Sequence, residues 1–175
     1  MKIELKKVSI NLTFSEETTM FKAELAVNGI IIGNAYNEGR GGCTFYESYA
    51  YGLTDEQIVR NKKLLAEAEA YCLSLPKVRV EDLDFEYDMN LEHFIDDLIE
   101  DELDKKERKQ FEKKMVNHIM WGNPNALSYS QVKFKTPLSS IPTLYLQSCV
   151  NNYKKEFKEG VVFLNTNLES LGIKL

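Results

Sequence analysis

Apolar and polar residues alternate with a period of two through the first fifty positions, and helical spacing takes over after Leu53. Ile3 and Leu5 precede Lys6-Lys7, where the phase shifts; Val8, Ile10, Leu12 and Phe14 then share one face, opposite Ser9, Asn11 and Thr13. This pattern predicts a strand with a bulge or change of face at the lysine pair, because strand side chains change face at every residue. Ser15 to Thr18 makes a polar turn. Two apolar runs then flank Asn28-Gly29, the dipeptide that supplies the two positive-φ positions of a tight type I′ hairpin. A two-residue loop puts Val27 opposite Ile30, Leu25 opposite Ile32, Ala23 opposite Asn34 and Phe21 opposite Tyr36. Cys43 to Glu47 reads as another strand returning from the cluster Gly39-Arg40-Gly41-Gly42, which completes an antiparallel meander.

Thr54 is placed to cap a helix, with Gln57 in the capping-box position and acidic residues in the first turn. Ile58, Leu65, Ala68, Cys72 and Leu75 recur at helical spacing until Pro76 ends the run. This helix is expected to pack on the meander. Val78 to Met89 reads as a loop or short strand. Asn90 can cap a second helix whose stripe is Leu91, Phe94, Ile95, Leu98, Ile99 and Leu103, and Phe111, Met115 and Ile119 extend helical spacing to Trp121-Gly122-Asn123-Pro124, a glycine stop with proline beyond it. Leu127 to Lys135 reads as a strand and Ser139 to Glu159 as a helix with Pro142 in its first turn. Gly160 closes that helix. Val161 to Leu164 reads as a buried strand, and Asn165-Thr166-Asn167 turns into a short final piece. Strands followed by helices argue for α+β: an N-terminal meander packed against several helices, with one or two C-terminal strands.

At 175 residues, with 43% hydrophobic and 28% charged residues, the chain suits one globular domain over 1–175. No run approaches the roughly 18 apolar residues of a membrane span, and MKIELKK lacks the apolar core of a secretion signal. Cys43, Cys72 and Cys149 are widely separated and odd in number, which suits a reducing compartment. The expected location is the cytoplasm. A net charge of -5 disfavours general affinity for phosphate backbones, so direct nucleic-acid binding is not expected, whereas a basic protein partner is compatible with it.

The strongest candidate site is the Gly39 to Gly42 loop with its neighbours Asn37, Tyr46 and Tyr49. Consecutive amides in a glycine-rich turn can form an anion nest, and Arg40 can add a bidentate contact to phosphate or carboxylate. The alternative is a turn that needs positive φ. The loop has no Lys-Ser/Thr of a P-loop and does not open a helix, so nucleotide hydrolysis is not indicated. Cys43 is expected as a small buried strand residue; as a nucleophile it would need Arg40 and one of the imidazoles His93 or His118. The carboxylates from Asp96 to Asp104 read as a solvated helix face, and no HExxH, paired CxxC or EF-hand pattern indicates a metal or other cofactor.

The segment FKAELAVNGIIIGNAYNEGRGG, Phe21 to Gly42, resembles the amino-terminal signature of uncharacterised small proteins of bacteriophages and related mobile elements, and FLNTNLESLGI, Phe163 to Ile173, is similar to the way such chains close. The resemblance implies an accessory protein of phage type acting in the host cytosol on host machinery or defence. The sequence reading is therefore a non-enzymatic binding protein that captures a host protein or an anionic small molecule, for instance as a counter-defence inhibitor. Two alternatives stand beside it: an enzyme acting on a nucleotide or peptide through Cys43 or a carboxylate, and an acidic mimic of nucleic acid.

Overall fold

The computed structural model describes residues 1–80, 85–124, 126 and 128–175. Glu81 to Asp84 within the Val78–Met89 stretch, and Leu127 at the head of the expected Leu127–Lys135 strand, lie outside the described residues. The fold is α+β. It divides into two compact units, Met1–Leu103 and Asp104–Leu175, each with its own buried cluster. Their compositions differ sharply. Met1–Leu103 carries 10 Lys and Arg against 21 Asp and Glu, a net of -11, and Asp104–Leu175 carries 12 against 6, a net of +6.

In the first unit, strands β1 (Ile3–Ile10), β2 (Phe21–Val27), β3 (Ile30–Asn37) and β4 (Phe45–Ser48) form one antiparallel sheet in the order β1-β2-β3-β4. The phase shift at the lysine pair is a bulge: pairing slips between Lys6 and Ser9, and Lys7 has φ 50. The chain leaves the strand after Ile10 and makes a 3-10 turn at Leu12–Phe14, capped by the Asn11 side chain, so Leu12 and Phe14 are exposed rather than aligned with Val8 and Ile10.

Asn28 and Gly29 have φ 50 and 82, as a type I′ turn requires. The register beyond it corrects the sequence reading by one residue. Val27 pairs with Ile30 and Ala26 with Ile31 as expected, but Gly33 rather than Ile32 faces Leu25, leaving Ile32 unpaired. That extra residue is fully buried, so the bulge adds its side chain to the core and shifts every later pair by one residue. Ala23 consequently faces Ala35, and Phe21 faces Asn37.

Helix α1 (Asp55–Leu73) begins with the predicted capping box, Thr54 and Gln57 bonding reciprocally. It packs on β2, β3 and β4. Leu25, Val27, Ile32, Ala68, Cys72, Leu91, Ile95 and Ile99 belong to this unit's core. A small hairpin, β5 (Val78–Val80) with β6 (Phe85–Tyr87), follows α1. Helix α2 (Leu91–Met115) is capped by Asn90, whose Oδ1 accepts from His93 N at 2.8 Å.

The second unit corrects the expected helix to Trp121. Helix α2 stops at Met115, and His118–Gly122 is strand β7. Ile119 continues the helical spacing in sequence but is held by a sheet: β7 lies between β8 (Ser130–Lys133) and β9 (Val162–Phe163). Gly122 is a buried strand residue rather than a helix stop. The expected buried strand at Val161–Leu164 shortens to two residues, with Val162 exposed. Asn165 carries on from it: Met120 N donates to its Oδ1 at 2.6 Å, and its Nδ2 donates to His118 O at 2.8 Å. Helix α3 (Thr143–Lys154) starts directly after Pro142. Ile119, Leu138, Leu146, Val150, Leu168 and Ile173 make the core, with Trp121, Tyr153 and Phe163 packed against it.

Candidate functional site

Asn37 closes strand β3 and is only 6% exposed. Its Oδ1 accepts from Gly39 N and from Thr18 Oγ1, both at 2.8 Å, while its Nδ2 donates to Gly42 O at 3.0 Å and to Thr44 Oγ1 at 3.3 Å. The amide is thereby saturated in both senses, two bonds accepted and two donated. The bond from Gly39 N two residues on is an Asx turn, and it folds the glycine loop back on the strand.

Gly39 is buried at φ +82, and its carbonyl accepts from Glu16 N at 2.8 Å and Glu17 N at 3.2 Å. A Cβ there would stand 2.6 Å from Phe14 O and 2.9 Å from Met20 Cβ. Conformation and space together demand glycine. Gly41 N is engaged by Thr18 Oγ1 at 3.3 Å. Two of the amides proposed for an anion nest therefore serve the loop's own architecture.

Beside this loop is an open cleft of about 460 Å³, lined by the Ser15–Thr19 turn, Phe21, Asn37, Gly42, Thr44 and one face of α2. The helix contributes Glu92, Asp96 and Glu100, spaced i, i+4, i+8, so one stripe of α2 faces the cleft with three carboxylates. Glu16 and Glu17 add two more, and no Lys, Arg or His is among the described lining residues. Thr44 ties the two walls. Its N donates to Glu92 Oε1 at 3.1 Å, and its hydroxyl donates to Asp96 Oδ1 at 2.5 Å while accepting from Asn37.

Burial raises the Asp96 carboxyl above its ordinary value, the hydrogen bond from Thr44 opposes this, and the Glu92 charge adds to it. The floor of the cleft thus combines a chain of polar bonds, Asn37 to Thr44 to Asp96, with carboxylates that no described lining cation faces. Such a site can attract and hold a cation or a donor-rich group.

Of the residues singled out from the sequence, Asn37 and Gly42 line this cleft, and Gly39 and Gly41 do not. Arg40 is exposed and borders a separate depression of about 300 Å³ with Phe14, Glu16, Met20 and Glu38. Tyr46 is packed against the core and donates its hydroxyl to Glu69 Oε1 at 3.2 Å; burial, with the Glu69 charge, pushes its pKa up to about 12. Tyr49 is exposed, and its N donates to Ile32 O at 2.8 Å, extending the sheet beyond β4. Neither tyrosine lines the cleft.

Thr18, Thr44, Glu92, Asp96 and Glu100 were not legible as site residues from the sequence. The four-residue spacing of the three α2 carboxylates puts them on one stripe of the helix, but Asp104 continues that series and Asp97 and Asp101 share the interval, so spacing alone does not single them out. Cys43 corrects its expectation: it is exposed, and the residue buried at that point is Thr44. Among the described residues neither histidine bonds to it. His93 stands edge-on to Tyr87 with ring centroids 4.7 Å apart, and His118 Nδ1 meets Lys114 O at 2.9 Å. Cys72 is buried, and burial raises its thiol to about 11, which keeps it protonated. The described residues include no group of three or more His, Cys, Asp or Glu arranged to hold a metal ion, and no helix among them is long and apolar enough to cross a membrane.

Fold and site together define an α+β protein with an acidic cleft between a sheet-end loop and a helix. The chain matches no protein-family model, no curated protein and no solved structure.

Proposed function

We propose that this is a non-enzymatic binding protein whose acidic cleft captures a cationic group, the lysine or arginine side chain of a basic segment on a partner protein. The observation that carries the reading is the cleft's composition: five carboxylates, no described cation, and a hydrogen-bonded floor that fixes Asp96 and Glu92 in place. A guanidinium or ammonium entering such a site exchanges water for charge-assisted hydrogen bonds, which are shorter and stronger than neutral ones. The phage-type resemblance of Phe21 to Gly42 supports a host protein as the partner and inhibition as the consequence. A small anion is the less favoured guest, because Gly39 N and Gly41 N are already engaged and Glu16 and Glu38 border the same depression as Arg40.

Isothermal titration of the full chain with an arginine-rich peptide tests the reading. Saturable binding is expected, and a Glu92→Gln, Asp96→Asn, Glu100→Gln variant should bind at least tenfold more weakly. Peptide binding that is absent, or equal in wild type and variant, overturns it. Loss of affinity for an anionic ligand in Arg40→Ala, with the triple variant unaffected, would transfer the role to Arg40.

A further inference from the structure

The net charge of -5 conceals the opposite sign of the second unit, and that unit combines excess cations with exposed cavities bordered by aromatic rings. One cavity of about 430 Å³ is lined by Trp121, Tyr129 and Phe157 together with Ser128, Ser130 and Lys158. A second, of about 450 Å³, shares Tyr129 with the first and is also lined by Phe111 and Arg108. Both volumes fall in the usual range for ligand sites, roughly 300–1,000 Å³.

The rings form an ordered array. Trp121 stacks on Tyr153 with centroids 4.8 Å apart and on Phe157 at 6.4 Å, and Phe111 meets Tyr129 edge-on at 5.5 Å. Lys114 Nζ donates to the Tyr129 hydroxyl at 2.8 Å and lies 5.5 Å from the ring centroid. Carboxylates are present at the margins, namely Asp104, Glu107 and Glu156. They outnumber the two lining cations, Arg108 and Lys158, so the attraction for an anion comes from the net charge of the unit and is diffuse and sensitive to salt.

We propose that the unit Asp104–Leu175 binds single-stranded nucleic acid, with bases entering the cavities beside Trp121, Tyr129 and Phe157 and the phosphates held by Arg108, Lys158 and the unit's excess of positive charge. Flat apolar rings with nearby hydroxyl and amine donors suit unstacked bases, and a cationic surface suits the backbone; together they are the two components of sequence-tolerant single-strand binding. A duplex, whose bases are already stacked, cannot use the cavities in this way. The expectation of no nucleic-acid binding rested on whole-chain charge, and the division into units of -11 and +6 removes its premise.

Trp121 is the single tryptophan of the chain and reports directly on the proposed site. Titrating the full protein with a 12-nucleotide oligo(U) at low salt should quench Trp121 emission saturably and raise the anisotropy of a labelled strand. If three phosphates are neutralised, affinity should fall roughly 20-fold between 50 and 200 mM salt. Arg108→Glu with Lys158→Glu, both exposed positions, should weaken binding at least tenfold. An abasic strand of the same length should bind more weakly and leave Trp121 emission unchanged.

Absence of quenching and of anisotropy change overturns the proposal, as does equal binding of the abasic strand or of an acidic peptide, either of which would mark a charge effect alone. Binding that survives the double reversal unchanged overturns it too. Asp96→Asn in the acidic cleft should leave oligonucleotide affinity within twofold of wild type, so this test and that of the cleft fail or succeed separately.

Discussion

Asp96 shows how one side chain serves both structure and recognition. Its carboxylate anchors Thr44, yet burial and the neighbouring Glu92 charge hold its pKa above the ordinary 3.8. A carboxyl raised in the folded state binds protons more readily there than in the unfolded chain, so its ionisation costs stability. That cost is absent well below pH 3.8, where the group is protonated in both states, and grows as pH rises from 3.8 through the folded value. Asp96→Asn keeps an acceptor for Thr44 and cannot ionise. Urea melts of the two proteins should therefore give a stability difference that increasingly favours the variant as pH rises above 3.8 and levels off once Asp96 is ionised in the folded state as well; a difference independent of pH would remove the linkage. The same residue explains a limit of sequence reading. Asp96 and Asp97 are adjacent acids in one run, and only the docking of α2 beside the glycine loop sends one into a cleft and the other to solvent.

At the scale of elements, local signals were the ones that read correctly. Thr54 with Gln57, Asn90 at the head of α2, and Asn28-Gly29 act within three or four residues, and each is found where its chemistry places it. Thr54→Ala removes the bond to Gln57 N and should destabilise the protein by about 0.5–2 kcal/mol, measured as a lowered urea midpoint with an unchanged slope.

Elements whose type depends on distant partners were the ones misread. Ile119 satisfies helical spacing from Phe111 and Met115, but β8, β9 and Asn165 supply hydrogen bonds to His118–Gly122 that reward an extended chain. The one-residue shift beyond Ile32 has a similar origin. A bulge is selected by the cavity that the extra side chain fills, and that cavity is made by other elements.

The whole molecule is two compact units of unequal core. Among the described residues, thirteen buried ones cluster in the first and six in the second. A smaller core leaves less apolar burial to offset chain entropy. Trp121 reports the second unit alone, whereas far-ultraviolet circular dichroism reports both. On heating, the Trp121 transition should have the lower midpoint, and the two probes should not superimpose. Coincident transitions would show that the units unfold as one. Charge follows the same division, which is why a whole-chain total said little about partners: exposed charges are screened beyond about 8 Å in physiological salt, so a partner responds to the charges near the surface it touches.

What the sequence by itself determined is the set of features written in short-range chemistry: the α+β class, the type I′ hairpin, the lysine bulge, the helix caps, and Asn37 and the glycines as an unusual corner. Tertiary structure alone decided that this corner bonds inward, that Thr44 rather than Cys43 is buried, and that carboxylates from Glu16 to Glu100, more than eighty positions apart, converge on one cleft. The physical reason is that spacing of three or four residues fixes which side chains share a face, but which face meets which is settled by packing, and the charge that a ligand meets is a property of the assembled surface.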